Sequence, residues 1–496
     1  MSRHIMLAIR SLSRRSHAAF GGGEVSPGTR IARAISAVAL GGVLAACSAP
    51  VKQLPDDLQS SWVDEQRATT AADAAALTWW KAFDDSTIDQ LVDLAQQRNL
   101  DLRVAEARVR EVRAQRRAAL ANLAPEIDGS IDADRARARR QGSETTAIQD
   151  SASASATASW EIDLFGRLRA EARAAKAELQ AVQADRDGVR LTLIAEVIRN
   201  YLEFRLYQVQ TELSLRNAQA QQETVRITQA RFNQGMASRL DLERTVSALR
   251  TTQAQIPQSR ELAESARYRL ILLTASTPDA LNPLLPTSTS DPGALPDSDA
   301  ERVLLTPADV IARRPDVQAA ERRLIAAAEQ RNVAAALRYP RITLAGLIGV
   351  EDNRVSDLLD NGSRTWSVSA GLLAPLIDFG RIRAAIDAAD AVQEQAYLTY
   401  EQTARTALQE TQTALVLYTQ GKLRQQELSQ AADSARRAAQ LARRQYTAGA
   451  LSLLEVLDAE RSVYAVELNA AQATADVSIR LVNVYESMGL VPPTGG

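Results

Sequence analysis

The chain has almost none of the side chains on which most catalytic and metal sites depend. Its 496 residues include one cysteine, Cys47, and two histidines, His4 and His17, which both precede that cysteine. Downstream of Cys47 there is no thiol or imidazole, which excludes Cys nucleophiles, His-dependent triads and His or Cys metal ligands. We therefore predict no catalytic, cofactor-binding or metal-binding residues and no enzymatic activity. A hydrolase that uses only carboxylates stays open as a minor hypothesis.

Aromatic residues and long apolar runs are also scarce. Only 4% of the residues are aromatic, and tracts of Ala, Gln, Arg, Glu and Leu indicate long helices packed through small side chains. The mean hydropathy is −0.20, and no uncharged apolar run after Cys47 reaches the ~18 residues of a membrane helix. The net charge is −2, and removal of residues 1–46, which contain six Arg and one Glu, would leave −7. That balance gives no electrostatic reason to expect a nucleic-acid partner.

An apolar segment stands directly before Cys47. Residues 34–46 are uncharged and mostly apolar, and Arg30 and Arg33 precede them. This order of basic and apolar regions is typical of a secretory signal. The residues Leu44-Ala45-Ala46-Cys47 resemble a bacterial lipobox, which implies cleavage before the cysteine and acylation of its thiol. The alternative is an ordinary signal with an incidental cysteine.

What the chain does contain is an internal duplication. The motif Phe165-Gly166-Arg167 recurs 214 residues later as Phe379-Gly380-Arg381. Other Gly, Pro and acidic positions agree at an offset of 214 or 215. These pairs are Gly235 and Gly449, Asp101 and Asp316, Glu106 and Glu321, and Pro125 and Pro340. Two copies of one unit of roughly 200 residues imply a pseudo-symmetric building block, not two unrelated domains.

The duplication divides the chain into six predicted segments. They are a signal peptide (1–46), a polar, irregular and lipidated lead-in (47–87), a first repeat (88–276), a Pro-rich linker (277–305), a second repeat (306–490) and a C-terminal tail (491–496). Each repeat is expected to hold a helix, a β-hairpin, a long helix and a shorter return helix.

Helical periodicity covers most of the two repeats. The predicted helices run over 88–123 with an interruption near Asn99, and over 164–231, 238–274, 306–337, 381–446 and 451–488. We expect Thr306 to be the N-cap of the fourth helix, with Pro307 at its first position. The longest helices would extend about 100 Å. The helix over 164–231 has two apolar stripes, which require two neighbours, as in a ring or tube of helices.

Four segments alternate with period two and predict strands of about ten residues. They are 127–134, 151–160, 342–350 and 366–373, joined in pairs by loops over 135–150 and 351–365. Strands of this length can cross a bilayer in a tilted barrel. Four strands cannot close a barrel, and an open edge in lipid leaves backbone groups unpaired, so the chain must pool strands with copies of itself. The alternative is a soluble four-stranded sheet that carries helical hairpins.

Four groups of residues match one known family. They are Trp79-Trp80 with Phe83; Arg314-Pro315-Asp316-Val317 with Ala320-Glu321; Pro375-Leu376 with Asp378, Gly380 and Arg381; and the turns at Gly235 and Gly449. With these residues the chain resembles the outer-membrane efflux factors, the TolC-like channels, and within them the lipoprotein branch. The resemblance implies a mainly α protein with a small β part. It also implies a homotrimer with a twelve-stranded outer-membrane barrel above a periplasmic tube of twelve helices, and an equatorial belt formed by the linker and chain ends.

The same resemblance implies an acidic aperture at the periplasmic end of the tube. We assign Tyr446, Glu455 and Asp458 to it, because trimer symmetry would place three copies of Asp458 around one axis, where like charges raise pKa values and attract cations. The alternative is a set of solvated charges at a helix N-terminus, favoured by the helix dipole. The family often has a basic residue two positions after the second turn glycine, and this chain departs from that pattern with Leu451.

The turns that join each long helix to its return helix are the predicted adaptor-facing surface. The residues assigned to it are Gly235, Arg239, Asp241, Gly449 and Ser452. We expect both glycines to adopt a left-handed conformation.

The predicted function is that of a passive exit duct. The duct would pass drugs or other small molecules from an inner-membrane pump and a periplasmic adaptor to the outside of a Gram-negative cell. Its location would be the outer membrane, with a lipid anchor and most of the mass in the periplasm. Alternatives are a duct for type I protein secretion or metal efflux, and a structural periplasmic coiled-coil lipoprotein.

Overall fold

The computed structural model of the protein describes residues 74–139, 146–286, 295–296, 307–358 and 360–491. The predicted signal peptide, Cys47 and Thr306 lie outside these residues. The described chain is mainly helical and contains one four-stranded antiparallel sheet, which confirms the predicted fold class.

The helices and strands follow the duplication. After a 3-10 helix, Ala74–Phe83, they are α1 (Ser86–Arg98), α2 (Leu100–Ala121), β1 (Glu126–Arg139), β2 (Thr146–Ile162), α3 (Arg167–Asn233), α4 (Arg239–Leu273), α5 (Pro278–Leu281), α6 (Pro307–Arg313), α7 (Pro315–Ala336), β3 (Arg341–Asp352), β4 (Arg364–Leu373), α8 (Arg381–Thr447) and α9 (Leu453–Ser487). The 3-10 helix shows that the expectation of an irregular lead-in was wrong for its last part.

The break between α1 and α2 lies at Asn99, as predicted. The Asn99 side chain accepts a hydrogen bond from the backbone N–H of Leu102 at 2.9 Å, which caps α2. Its amide nitrogen also donates to the carbonyl oxygen of Leu273 at 2.9 Å, at the end of α4. Since the backbone N–H of Asn99 also donates to the carbonyl oxygen of Ala95, this one residue ends α1, starts α2 and fixes both to the end of α4.

The second copy breaks at the equivalent place, and here the prediction of one helix over 306–337 was wrong. α6 ends at Arg313 and α7 begins at Pro315. Proline restricts the residue before it to extended conformations, and Arg314 is extended, with φ −64° and ψ 125°. The Arg314 guanidinium then binds Asp316 and Glu410, each at 2.7 Å, and donates to the carbonyl oxygen of Ser487 at 3.0 Å. The motif that begins at Arg314 thus holds α7, α8 and the end of α9 together.

The sheet has the order β1-β2-β3-β4. The strands run past the predicted hairpin loop of 135–150, since β1 continues to Arg139 and β2 begins at Thr146. The predicted loop was therefore too long. Arg and Ala alternate at the end of β1, and this alternation continues the strand; we had assigned these residues to the loop because of their charge. The second pair of strands agrees with its prediction within a few residues.

Register divides the sheet into two faces. Ile131 pairs with Ala154, Ala154 with Val350, and Val350 with Arg364. Because paired residues share a face, every second residue from these points lies on one face, which we call the outward face. On β2 to β4 it is mostly apolar, and it contains Trp160, Leu344, Ile348, Trp366, Val368 and Leu372. The opposite face is rich in Ser, Thr and Asp.

The main apolar core lies where the chain ends meet the long helix of the first copy. Trp79 stacks on Tyr485 of α9, with ring centroids 5.0 Å apart, and donates to the carbonyl oxygen of Leu490 at 3.3 Å. Around this pair pack buried side chains of α1, α3 and α4, among them Ile88, Ile198 and Leu270. None of the helices in the described part of the chain combines the length and apolar composition of a bilayer span.

Candidate functional site at the helix-hairpin tips

Both helical hairpins turn in the same way. In the first, the N–H of Met236 donates to the carbonyl oxygen of Arg231 at 2.8 Å, and the N–H of Gly235 to that of Phe232 at 2.9 Å. This bond pattern ends a helix with one residue in the left-handed region, and Gly235 has φ 73°. A Cβ at this glycine would meet nothing within 4 Å, so the backbone conformation and not space requires it.

The second tip repeats this geometry. The N–H of Gly449 donates to the carbonyl oxygen of Tyr446 and that of Ala450 to Gln445, both at 2.9 Å. The φ of Gly449 is 79°. The left-handed turns predicted at both glycines are thus present.

Capping boxes start the two return helices. The hydroxyl and the backbone N–H of Ser238 donate to the Asp241 carboxylate at 2.8 and 3.1 Å. Ser452 donates to Glu455 in the same way at 2.9 and 3.0 Å. Such boxes satisfy helix N-termini that would otherwise leave donors unpaired. Asp241, Ser452 and Glu455 therefore have a structural role, in addition to the functional roles predicted for them. Arg239 is exposed at the first tip and pairs with Glu243 at 3.2 Å.

The three predicted aperture residues do not share one environment. Tyr446 is only 5% exposed and packs with Ala442, Leu453 and Val456. Glu455 and Asp458 are exposed and line an open groove of about 560 Å³ on the α8–α9 hairpin. The other residues of that groove are Ala435, Ala438, Leu454, Ala459 and Ser462. Two of the three predicted residues thus lie together at a surface, while the tyrosine is part of the core beneath it.

Tyr446 joins the second hairpin to α3 of the first. The Arg231 guanidinium lies 4.6 Å from the centroid of its ring, a cation–π distance, and also donates to the Tyr446 carbonyl oxygen at 2.9 Å. The phenol hydroxyl is 3.4 Å from the hydroxyl of Thr228.

Two buried carboxylates continue this connection away from the tip, and sequence reasoning missed both. Glu460 accepts hydrogen bonds from Arg443 of α8 and Thr224 of α3, each at 2.7 Å. Two helical turns further along α9, Glu467 accepts hydrogen bonds from Arg436 at 2.9 Å and from Asn217 at 3.4 Å. We call these two networks the polar rungs. The signal was in the sequence, because the core stripe of α9 has the three-four spacing Leu453, Val456, Glu460, Val463, Glu467.

The polar side chains at the tips serve packing and capping in the described part of the chain. No group of three or more carboxylate, His or Cys side chains among them is arranged to hold a metal ion. The polar networks at the tips contain ion pairs and capping bonds, which can hold helices together and present charge.

Comparisons with known proteins agree with this architecture. The family described as outer membrane efflux protein matches residues 91–276 and 306–490. The pyoverdine export outer membrane protein OpmQ of Pseudomonas putida is 33% identical over 461 residues, which cover 90% of this chain and 95% of OpmQ. The solved outer-membrane channel OprN has a TM-score of 0.80 at 31% identity, over 89% of this chain and 98% of OprN. The open state of the Neisseria gonorrhoeae channel MtrE has a TM-score of 0.78 at 26% identity, over 91% and 100%.

Fold and comparisons define a class, the TolC-like channels of the Gram-negative outer membrane with a large periplasmic helical part. The chain belongs to the outer membrane efflux protein family, and its function is efflux across the outer membrane. Members of this family are channel proteins. The family predicted from the sequence is confirmed.

Proposed function

We propose that three copies of this protein form the exit duct of a tripartite efflux system. Each copy would contribute four strands to a closed barrel. It would also contribute four helices to a periplasmic tube, if shorter helices that continue one another are counted as one. An inner-membrane pump and a periplasmic adaptor would deliver small organic molecules to the duct, which itself supplies no energy.

The observation that carries the proposal is the unequal burial of two equivalent helices. α3 and α8 both have 67 residues, yet 26 residues of α3 are buried and only 11 of α8. α3 packs against α2 and α4 of its own copy and against α7 and α9 of the other copy. By pseudo-symmetry α8 requires a second α2 and α4, which only another protomer can supply. The exposed apolar residues of α8 and α2 fit this need; they include Val392, Leu398, Leu423, Leu100 and Val104.

The junctions between strands and helices support the same assembly. In the first copy, Phe165 stacks on Tyr339 with ring centroids 4.7 Å apart. Its counterpart Phe379 is 99% exposed, next to exposed Leu376 and Ile377. A neighbouring protomer would cover this segment in the way that the second copy covers Phe165. β1 and β4 also have one unpaired edge each, which lipid does not tolerate.

For the substrate we propose small organic molecules. The names of similar proteins concern pyoverdine export, solvent efflux and toluene efflux in Pseudomonas.

Four further features are proposals as well. They are the acylation of Cys47, the repeat boundaries at 88–276 and 306–490, the aperture at Tyr446, Glu455 and Asp458, and adaptor contact at the two tips. The tips suit adaptor contact because each lies one whole long helix away from the strands, at the far end of the tube.

A cross-linking experiment tests the assembly. Within the protomer, Arg173 of α3 pairs with Glu329 of α7 at 2.7 Å. The repeat offsets translate this contact into Asp387 of α8 and Ala114 of a neighbouring α2. In a Cys47→Ser background, Asp387→Cys with Ala114→Cys should give covalent trimers with a short bismaleimide.

The matched control replaces Asp387→Cys by Asp433→Cys, an exposed position on the same helix far nearer the tip. It should give no intersubunit product. Single-channel conductance of the uncross-linked protein in planar bilayers should accompany the trimer. A monodisperse monomer without conductance would refute the proposed duct.

A further inference from the structure

The outward face of the sheet changes character along β1. From the periplasmic end its residues are Ile127, Gly129, Ile131 and Ala133, and then Arg135 and Arg137. On β4 the apolar row ends in the same direction at Trp366 and then Arg364. On the outward face of the described strands, every charged residue lies at this outer end, and the periplasmic end carries none.

Strand geometry places these arginines relative to the bilayer. The apolar band of an outer-membrane barrel is about 25 Å tall, and strands tilted by about 40° rise about 2.5 Å per residue along its axis. About ten residues are therefore required to cross it. Arg137 lies ten residues after Ile127. This spacing places the Arg137 guanidinium at the outer boundary of the hydrocarbon, at the level of the lipid headgroups.

Trp366 gives a second, independent mark of the same level. Aromatic residues form girdles at both membrane interfaces of such barrels. Trp366 is an exposed outward-facing aromatic near the outer end of β4, and Arg364 follows it by one pleat. Arg364 thus lies just beyond the girdle, at the outer end of β4.

The charges are also sorted by strand. The arginines lie on the edge strands β1 and β4, whereas the acidic residues of this level, Asp150 and Asp352, lie on the central strands. Asp352 accepts a hydrogen bond from Ser363 at 2.8 Å, and Asp150 pairs with Arg135 at 3.2 Å. When edge strands of two protomers pair, Arg137 of one and Arg364 of the other come to the same rim.

We propose that Arg137 and Arg364 form, at each protomer junction, a binding site for the phosphate groups of a phosphorylated glycolipid of the outer leaflet. The guanidinium fork matches phosphate oxygens bidentately. The apolar rows below it, with Ile131 and Val368, contact the acyl chains of the same lipid. The outer leaflet is the source, because both arginines lie at the end of the barrel opposite to the periplasmic helices. This inference rests on the proposed trimer.

The test uses the purified full-length trimer in mild detergent and, as probe, bisphosphorylated lipid A. Binding is read from the midpoint of thermal dissociation of the trimer and from native mass spectrometry. We expect three lipid A molecules per trimer and a raised dissociation midpoint. Arg137→Gln with Arg364→Gln should weaken binding at least about tenfold, because a charge-assisted bond is lost at both positions. The matched control, Arg250→Gln with Arg260→Gln on exposed positions of α4, should leave binding unchanged.

Three results would overturn the proposal. They are equal affinity of the double variant and the wild type, equal binding of dephosphorylated lipid A, and equal binding of phosphatidylglycerol, which would show a general preference for anionic lipid. Conductance of the same sample separates this inference from the duct itself. A conducting trimer without lipid A specificity refutes the lipid site alone, and a protein that neither trimerises nor conducts refutes both.

Discussion

Arg443→Met should weaken the periplasmic tip far more than its position on a surface helix suggests. Arg443 is the charge partner of Glu460, which is 1% exposed and has one carboxylate oxygen, Oε2, without a partner in the described residues. Removal of one partner of a buried ion pair costs about 3–5 kcal/mol, because the remaining charge stays out of water. Only the Thr224 hydroxyl would then contact the Glu460 carboxylate.

The two sides of the pair should behave differently. Arg443 is one-third exposed, so in Glu460→Gln the guanidinium can return to water, and Thr224 keeps an acceptor. We expect Glu460→Gln to cost about 1–2 kcal/mol, in the range of one neutral hydrogen bond. The double variant Arg443→Met with Glu460→Met should approach the wild type, since apolar replacement of a whole buried pair is often neutral or stabilising.

Amide hydrogen exchange of α9 between Val456 and Val463 is the suitable measurement, because it reports local opening. A loss of about 3–5 kcal/mol corresponds to an increase in exchange of roughly 150- to 5,000-fold. The matched control is Arg226→Met, which removes an exposed pair with Glu223 on α3 and should change nothing. If Arg443→Met exchanges no faster than this control, the polar rung has no energetic role.

Three further predictions concern other parts of the chain. Intact-mass analysis should find lipid on Cys47, and Cys47→Ser should abolish it while insertion of the barrel persists. Asp458→Ala should raise resting conductance and remove most of the block by divalent cations; unchanged block would place the constriction elsewhere. At Asp163 burial raises the pKa, but hydrogen bonds from Arg169 and Leu168 outweigh it and leave the pKa below its usual value. A lowered folded-state pKa means stability that is present above pH ~4 and lost as pH falls further, so Asp163→Asn should flatten the acid limb of a melting curve.

The elements were predictable because each has a local signal. Period-two alternation located the strands and a three-four stripe located the long helices. The helix break was found in the first copy from Asn99 but missed at Arg314, although Pro315 marks it as clearly. Strand ends were missed at β1 because Arg135 and Arg137 were interpreted as loop residues, whereas in a barrel wall they continue the outward row.

The candidate site was less predictable, since it depends on which helices meet. Sequence reasoning placed Tyr446 at the aperture from its position beside the turn, and the structure buries it under Arg231 of a helix more than 200 residues away. Glu460 and Glu467 were passed over because charged residues are usually solvated. Their burial becomes visible only once α3 is seen to cross α9 with Thr224 and Asn217.

Pseudo-symmetry also shows where the tip should open. At an offset of 214, the residues of the second copy that correspond to Arg231 and Thr228 are Gln445 and Ala442, and Phe232 corresponds to Tyr446. The rung residues have no charged counterparts either; for Glu460, Arg443, Glu467 and Arg436 these are Val246, Gln229, Gln253 and Gln222. The contacts that tie the second hairpin to α3 of its own protomer therefore have no equivalent between α8 and the first hairpin of a neighbouring protomer.

The weak boundary of a trimeric tip should thus lie between protomers, and the α8–α9 hairpin should move as one body with its own α3. Two matched cysteine pairs in a Cys47→Ser background test this prediction. Thr228→Cys with Tyr446→Cys bridges the intraprotomer contact, and Ala442→Cys with Phe232→Cys bridges its equivalent between protomers. We expect the second bridge to suppress opening events in planar bilayers and the first to leave them, with reduction of the bridge restoring conductance. Equal suppression by both bridges would contradict the argument, because it would require α8 to separate from its own α3, against the polar rungs that hold them together.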